Sequence, residues 1–235
     1  MGPGILALGG IGLLLGFRHA FEPDHLAAVS TLATRQGSLL AACRLGLAWA
    51  LGHTMSVGAV VGLIMLGGLQ LPARFSPAAD FLVALLLIGL GGSVLWRYAR
   101  GRWHMHAHPH DGAPPPHPHL HLHSHAHGAS HAHVHAPADA RRSLGFGVMH
   151  GLAGSAAILL LLVAAAPTRA TQLTYLLSFG VGTAVGMLLV SCTLAGVVRV
   201  AARRGAHWAT LLHVGAAVAS VAVGIALAGR VAGEF

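Results

Sequence analysis

Long apolar runs are the feature that most restricts what this chain can fold into. About 20 consecutive apolar residues are enough for a helix to cross a bilayer, and the sequence offers such runs in six places. The predicted spans are residues 4–33, 39–69, 78–97, 144–166, 173–199 and 206–230. With 55% hydrophobic and only 9% charged residues, the composition argues against a soluble enzyme. We therefore predict an all-α integral membrane protein with six transmembrane helices.

The arginines predict how these spans are oriented, because cytoplasmic loops are enriched in positive charge. Ten arginines lie in or beside the loops after the first, third and fifth spans: Arg35, Arg44, Arg97, Arg100, Arg102, Arg141, Arg142, Arg199, Arg203 and Arg204. Three lie on the opposite side: Arg74, Arg169 and Arg230. We expect a multi-pass protein of a bacterial inner (plasma) membrane with both termini outside. Arginines placed singly or in pairs at the ends of apolar runs argue against nucleic acid as a partner.

The first span contains a cluster of groups that can carry charge: Arg18, His19, Glu22, Asp24 and His25. An unpaired charge at the membrane centre costs about 2.5–3.5 kcal/mol, so such a cluster indicates a functional site facing a cavity. On an unbroken helix, His19 and Asp24 would point about 140° apart. Pro23 has no N–H to donate to the carbonyl of His19. We therefore predict a first helix broken at Pro23, which would allow these side chains to converge.

Histidines in two other spans are candidate partners of this cluster. His53 lies inside the second apolar run, and His150 stands in the second half where His19 stands in the first. Residues 16–19 resemble residues 145–150, and residues 52–58 weakly resemble 180–186. We predict a 3+3 inverted repeat, an architecture in which the substrate site lies between the halves. The predicted units are a first transmembrane half (1–102), a cytoplasmic His-rich loop (103–142) and a second transmembrane half (143–235).

Thirteen of the 19 histidines lie in that loop: His104, His106, His108, His110, His117, His119, His121, His123, His125, His127, His131, His133 and His135. The loop has no apolar periodicity, so we predict disorder. Residues two apart in an extended chain point the same way, so the imidazoles would be neighbours. Neutral imidazole suits nickel, cobalt, copper and zinc. A metal-collecting loop is the preferred interpretation, and a pH-responsive polar linker is the alternative.

The predicted metal ligands within the membrane are His19, Asp24, His25, His53, His150 and Glu22. Glu22 has an equally simple alternative role, as the counterion of Arg18. Cys43 and Cys192 form no paired motif, and we expect two separate buried thiols rather than a disulfide, with metal ligation as the alternative. No prosthetic group is predicted, and no nucleotide-binding motif is present. A gradient or a separate partner should therefore drive any transport.

The sequence around His19, Asp24 and His25, in the pattern HxxxxDH after Arg18, resembles the signature of the nickel/cobalt transporter (NiCoT) family. Residues 51–54 resemble that family's Leu-Gly-His-Ser/Thr element, and residues 147–155 are similar to a segment of its urease-accessory nickel permease branch. The resemblance implies transport of Ni²⁺ or Co²⁺, with His19, Asp24 and His25 in the selectivity site and His53 nearby. Six helices and a cytoplasmic His-rich loop also resemble the nickel/cobalt efflux branch.

The sequence predicts a secondary transporter of Ni²⁺ or Co²⁺, with a cytoplasmic metallochaperone as a candidate acceptor. Export rather than uptake is one alternative. A membrane-anchored metal store or sensor would explain the loop but leave the charged membrane cluster without a use. A b-type cytochrome would explain His53, His150 and His213 but neither the Asp24–His25 pair nor the loop.

Overall fold

In a computed structural model of this chain, the described residues are 3–33, 39–67, 74–100, 103–108, 117–122, 137–152 and 168–233. The helices within them are α1 (Pro3–His19), α2 (Pro23–Ala33), α3 (Leu39–Gly67), α4 (Phe75–Ala99), α5 (Pro137–Gly151), α6 (Arg169–Arg204) and α7 (Ala206–Ala232). Two short strands, β1 (Trp103–His108) and β2 (His117–Leu122), form the remaining described elements.

Four helices, α3, α4, α6 and α7, are long and apolar enough to cross a membrane. Helices α1 and α2 pass the same test together as one bent span, which makes up to five spans in the described residues. The all-α membrane class is therefore confirmed. The fourth predicted span, residues 144–166, begins within α5, and its remainder lies outside the described residues. Helix α5 itself begins at Pro137, earlier than the sequence pattern predicted.

The break in the first span is confirmed, and it lies just before Pro23. Helix α1 ends at His19 and α2 begins at Pro23, with 59° between the two segments. Proline suits the first position of a helix, where its missing N–H would have no partner in any case. The prediction that the carbonyl of His19 is left free is wrong, because the turn gives it another donor. The amide of Glu22 donates to that carbonyl at 3.0 Å.

Helix α1 packs along α6, and glycines bring the two backbones close together. A Cβ placed on Gly16 would collide with the carbonyl oxygen of Phe179. A Cβ on Gly182 would collide with the carbonyl oxygen of Leu13. Each helix thus contributes one glycine to a contact that no larger residue would allow, a device typical of membrane helix pairs.

Helix α3 packs along α5 in the same manner, and α4 packs along α7. A Cβ on Gly52 would collide with the carbonyl oxygen of Leu144, and a Cβ on Gly147 with that of Trp49. In both crossings, each glycine faces the carbonyl three residues before the opposing glycine. The α1–α6 and α3–α5 crossings therefore have one common construction.

Cys43 of α3 and Cys192 of α6 form a disulfide, with their Cα atoms 5.5 Å apart. The prediction of two separate thiols is wrong. These cysteines are 149 residues apart in sequence, and only the packing of α3 against α6 brings them together. The bond joins a helix of the first predicted half to a helix of the second.

The His-rich segment contains an antiparallel hairpin, in which Trp103 is opposite Leu122 and His108 is opposite His117. The prediction of disorder is therefore wrong for β1 and β2. Alternation of histidine with apolar residues has the period of two that a strand requires, and the two segments pair with each other as antiparallel strands. Residues 109–116 and 123–136, the rest of the loop before α5, lie outside the described residues.

Replacing Gly16 with alanine should destabilise the protein, since the added methyl group meets the backbone of Phe179. Overpacking of this kind costs about 1–3 kcal/mol, so the melting temperature in detergent should fall. Gly10→Ala on the same helix is the matched control, because nothing lies within 4 Å of its added Cβ. Equal melting temperatures for the two variants would contradict the close approach of α1 and α6.

Candidate metal centre

Four helices bring five side chains to one place in the interior. His19 is the last residue of α1, and Asp24 and His25 lie in the first turn of α2. His53 comes from the middle of α3 and His150 from the last turn of α5. The bend between α1 and α2 is what allows His19 to lie beside His25, whose ring centroids are 4.4 Å apart. The predicted convergence of these residues is thus present in the structure.

His19 and His53 approach each other directly across the α1–α3 interface. Their Nε2 atoms are 3.3 Å apart, and the ring of His25 is 5.0 Å from that of His53. Two nitrogens bound at about 2.0–2.1 Å to one tetrahedral ion are about 3.3–3.4 Å apart. The His19–His53 separation therefore fits two ligands of a single metal ion.

Asp24 connects α2 to α5. Its Oδ2 atom is 2.9 Å from Nε2 of His150, and its Oδ1 atom is 3.3 Å from Nδ1 of His25. The first contact has hydrogen-bond geometry, whereas the second is an ion-pair distance without it. A single carboxylate therefore contacts one imidazole from each half of the chain.

The centre is buried except at the carboxylate of Asp24. His25 and His150 are fully buried, and His19 and His53 are 5% and 1% exposed. The side chain of Asp24 is 25% exposed. Both ring nitrogens of His25, and Nδ1 of His53 and of His150, have no hydrogen-bond partner in the part of the chain that the structure describes. Buried polar atoms without partners are costly, and a bound cation would satisfy those that face it.

The possible ligand atoms form two groups of three. One group is His19, His25 and His53, and the other is Asp24, His25 and His150. Within each group, the atoms lie within 4.8 Å of one another. A donor set of imidazoles with one carboxylate suits nickel, cobalt, copper or zinc, whereas magnesium and calcium prefer oxygen ligands alone.

Glu22 lies beside the centre without belonging to either group. Its Oε2 atom is 3.0 Å from Nδ1 of His19, and its side chain is 45% exposed. The sequence left Glu22 open between a metal ligand and a counterion of Arg18, and the structure places it against His19. An acceptor at Nδ1 holds the proton there and leaves Nε2 available as a ligand, which is the usual role of a carboxylate behind a metal-binding histidine.

Two aromatic walls of the centre were missed by the sequence analysis. The ring of Trp49 is 5.4 Å from that of His150, and the ring of Phe179 is 5.4 Å from that of His19. Trp49 is four residues before His53 and so shares its helix face, a signal that was available. Phe179 carries no comparable signal, because it reaches the centre only through the packing of α6 on α1.

Other polar residues of the described helices lie outside the centre. The hydroxyl of Thr183 contacts the carbonyl oxygens of Phe179 and Gly16, so it links α6 to α1. His207 is exposed near the start of α7, and His213 is buried within α7. Among the loop histidines, His110 and those from His123 to His135 lie outside the described residues, and only the backbone of the others is described.

The chain matches known proteins over most of its length. A family model described as a high-affinity nickel-transport protein (NicO) matches residues 5–235. The chain is 31% identical over 193 residues to urease accessory protein UreH of Bacillus sp. (strain TB-90), which is 82% of this chain and 78% of the relative. It is 35% identical over 97 residues to nickel/cobalt efflux system RcnA of Shigella sonnei (strain Ss046), covering 38% of this chain and 34% of the relative. No solved structure matches the chain.

Replacing Asp24 with asparagine should weaken metal binding, because it removes the negative charge while keeping the side chain's size. We expect at least a roughly tenfold loss of Co²⁺ affinity, the usual scale for disturbing a metal site. Glu22→Gln is the matched variant, since the amide oxygen of the glutamine still accepts from His19. Its loss of Co²⁺ affinity should be smaller than that of Asp24→Asn. Calorimetric titration of the purified full-length chain, with its loop histidines replaced by serine, measures both. Unchanged affinity in Asp24→Asn would contradict a role for Asp24 in the centre.

Proposed function

We propose that the buried histidine centre holds the metal ion while it passes through the membrane. This chain belongs to the high-affinity nickel-transport protein family. The protein is a multi-pass membrane transporter of nickel and cobalt, and its family is not one of enzymes.

The proposal rests on one observation. Five side chains converge in the apolar interior of the helices: His19, Asp24, His25, His53 and His150. An ion that leaves water needs replacement ligands and compensation for its charge. The imidazoles supply nitrogen ligands, and Asp24 offsets part of the positive charge. Nitrogen ligation discriminates against magnesium and calcium, which are far more abundant in cells and compete poorly for imidazole.

The architecture we propose is a 3+3 inverted repeat, with the centre between the halves. The matched glycine crossings support it, because exchanging the halves converts the α1–α6 pair into the α5–α3 pair and leaves the α4–α7 pair unchanged. Gly16 then corresponds to Gly147, and Gly52 corresponds to Gly182. In this register His19 corresponds to His150, as predicted from the sequence.

The second part of the repeat has a different register from the one the sequence indicated. The glycine contacts make Gly52 the counterpart of Gly182 in the second half. The sequence had indicated Gly180, so the register differs by two residues. His53 then corresponds to Thr183. The first half contributes His19, His25 and His53 to the centre. In the described part of the second half, only His19 has a histidine as its counterpart. The proposed site is therefore asymmetric and draws most of its ligands from residues 1–102.

Transport would proceed by movement of one half against the other, so that the centre opens to each side in turn. We propose that residues 103–142 lie in the cytoplasm together with the other arginine-rich loops, and that both termini lie outside. Uptake through a bacterial inner membrane is the first candidate direction. Export is the second, and it is favoured by the similarity to relatives named nickel/cobalt efflux systems.

Flux of radioactive nickel into proteoliposomes of known orientation tests the site and the direction together. The intact chain should transport nickel, whereas His19→Ala and Asp24→Ala should lose transport because each removes a member of the centre. His207→Ala is the matched control, since this exposed histidine lies outside the centre. Transport by either site variant at the rate of the intact chain would refute the assignment. Binding without flux by the intact chain would favour a metal store or sensor.

Removing residues 104–135 should preserve turnover while changing the nickel concentration needed for half-maximal flux. The physical reason is that the loop histidines collect metal near the pathway without forming the buried centre. The same flux measurement at several nickel concentrations provides the readout. Complete loss of transport, with the helices still folded, would overturn this role for the loop.

A further inference from the structure

We propose that the centre holds the ion in two alternative positions that share His25, and that the ion passes between them during transport. The inference rests on the proposed function and concerns the same site. One position has three imidazoles, from His19, His25 and His53. The other has the carboxylate of Asp24 and the imidazoles of His25 and His150. We call the first the three-histidine position and the second the carboxylate position.

The geometry separates the two positions. Two ligands on opposite sides of one ion, each bound at about 2.1 Å, are at most about 4.2 Å apart. The two groups do not combine into one even when atoms up to 4.8 Å apart are accepted. His53 belongs to one group only, and His150 belongs to the other only. In this arrangement, one ion does not reach all five side chains at bonding distance.

His25 is placed to serve both positions. Its ring lies 4.4 Å from that of His19 and 4.3 Å from that of His150, so it lies midway between two residues that the repeat makes equivalent. A neutral imidazole has one nitrogen with a free lone pair and one that carries a proton. His25 can therefore ligate one ion at a time, and the two positions exclude each other.

The positions differ in charge and in access to solvent. All three members of the three-histidine position are buried and neutral as ligands. The carboxylate position includes Asp24, whose side chain is 25% exposed. An ion exchanging with water is stabilised by the carboxylate at the exposed position, and it is enclosed at the other. The structure thus assigns entry or release to Asp24 and His150, and enclosure to His19 and His53.

Movement between the halves would change which position is favoured. His19 and His53 both belong to residues 1–102, whereas His150 belongs to the second half. Displacing α5 relative to α2 changes the contact of His150 with Asp24, now 2.9 Å, so the carboxylate position forms and opens with this movement.

Titration with Co²⁺ alone distinguishes two positions from one. The protein is the full-length chain with its loop histidines replaced by serine, so that only the centre binds. We expect one Co²⁺ per chain, and we expect His53→Ala to keep its affinity within about threefold, because the carboxylate position remains intact. The double variant with His150→Ala should lose more than about a hundredfold. Tenfold or greater losses in both single variants, multiplying in the double variant, would overturn the proposal.

Spectroscopy of the bound Co²⁺ gives an independent readout. His150→Ala should leave the ion with three nitrogens, and His53→Ala should leave it with nitrogens and a carboxylate oxygen. Their ligand-field absorption and X-ray absorption spectra should therefore differ, and identical spectra would refute two positions. The single variants bind metal in both readouts, so misfolding does not imitate their expected results.

The outcome also separates this inference from the proposed function. Nickel flux by the intact chain together with single-site binding would refute the two positions alone. The two-position binding pattern without flux in the intact chain would refute transport through the centre, while the two positions would stand. Under the full proposal, both single variants bind Co²⁺ but transport nickel at less than about a tenth of the intact rate.

Discussion

The contact between Asp24 and His150 is the interaction on which the centre depends. A carboxylate inside an apolar body is costly unless it is paired, and the partner here comes from another helix 126 residues further along the chain. That pairing joins α2 to α5 and so connects the two halves of the chain at the same point where a cation would bind. A metal ion bound there would take the place of His150 as the partner of Asp24, so the carboxylate keeps a partner throughout.

The approach of these groups requires helices that pack unusually closely. Gly16 and Gly182 bring α1 and α6 together, and Gly52 and Gly147 do the same for α3 and α5. Each of these crossings lies within a few residues of a histidine of the centre. These glycines therefore also set the distance between the helices that carry the histidines of the centre.

The bend before Pro23 completes the arrangement. With an unbroken helix, His19 and Asp24 would face different directions, whereas a turn over residues 20–22 lets the end of α1 and the start of α2 face one cavity. The turn also gives the carbonyl of His19 a donor within the chain. The carbonyls of Arg18 and His19 are thus paired within the chain, as a membrane interior requires.

Much of this protein could be predicted from the sequence, because the relevant signals are local. Apolar length indicated the membrane spans, Pro23 indicated the break, and the HxxxxDH pattern with His53 and His150 indicated the side chains that converge on the centre. Other features depended on which helix faces meet, which residues far apart in sequence decide. The Cys43–Cys192 disulfide, the contact of Glu22 with His19 and the close approach of Gly52 and Gly147 belong to this second group. Periodicity along one helix has no information about its neighbour, so only the tertiary structure decided them.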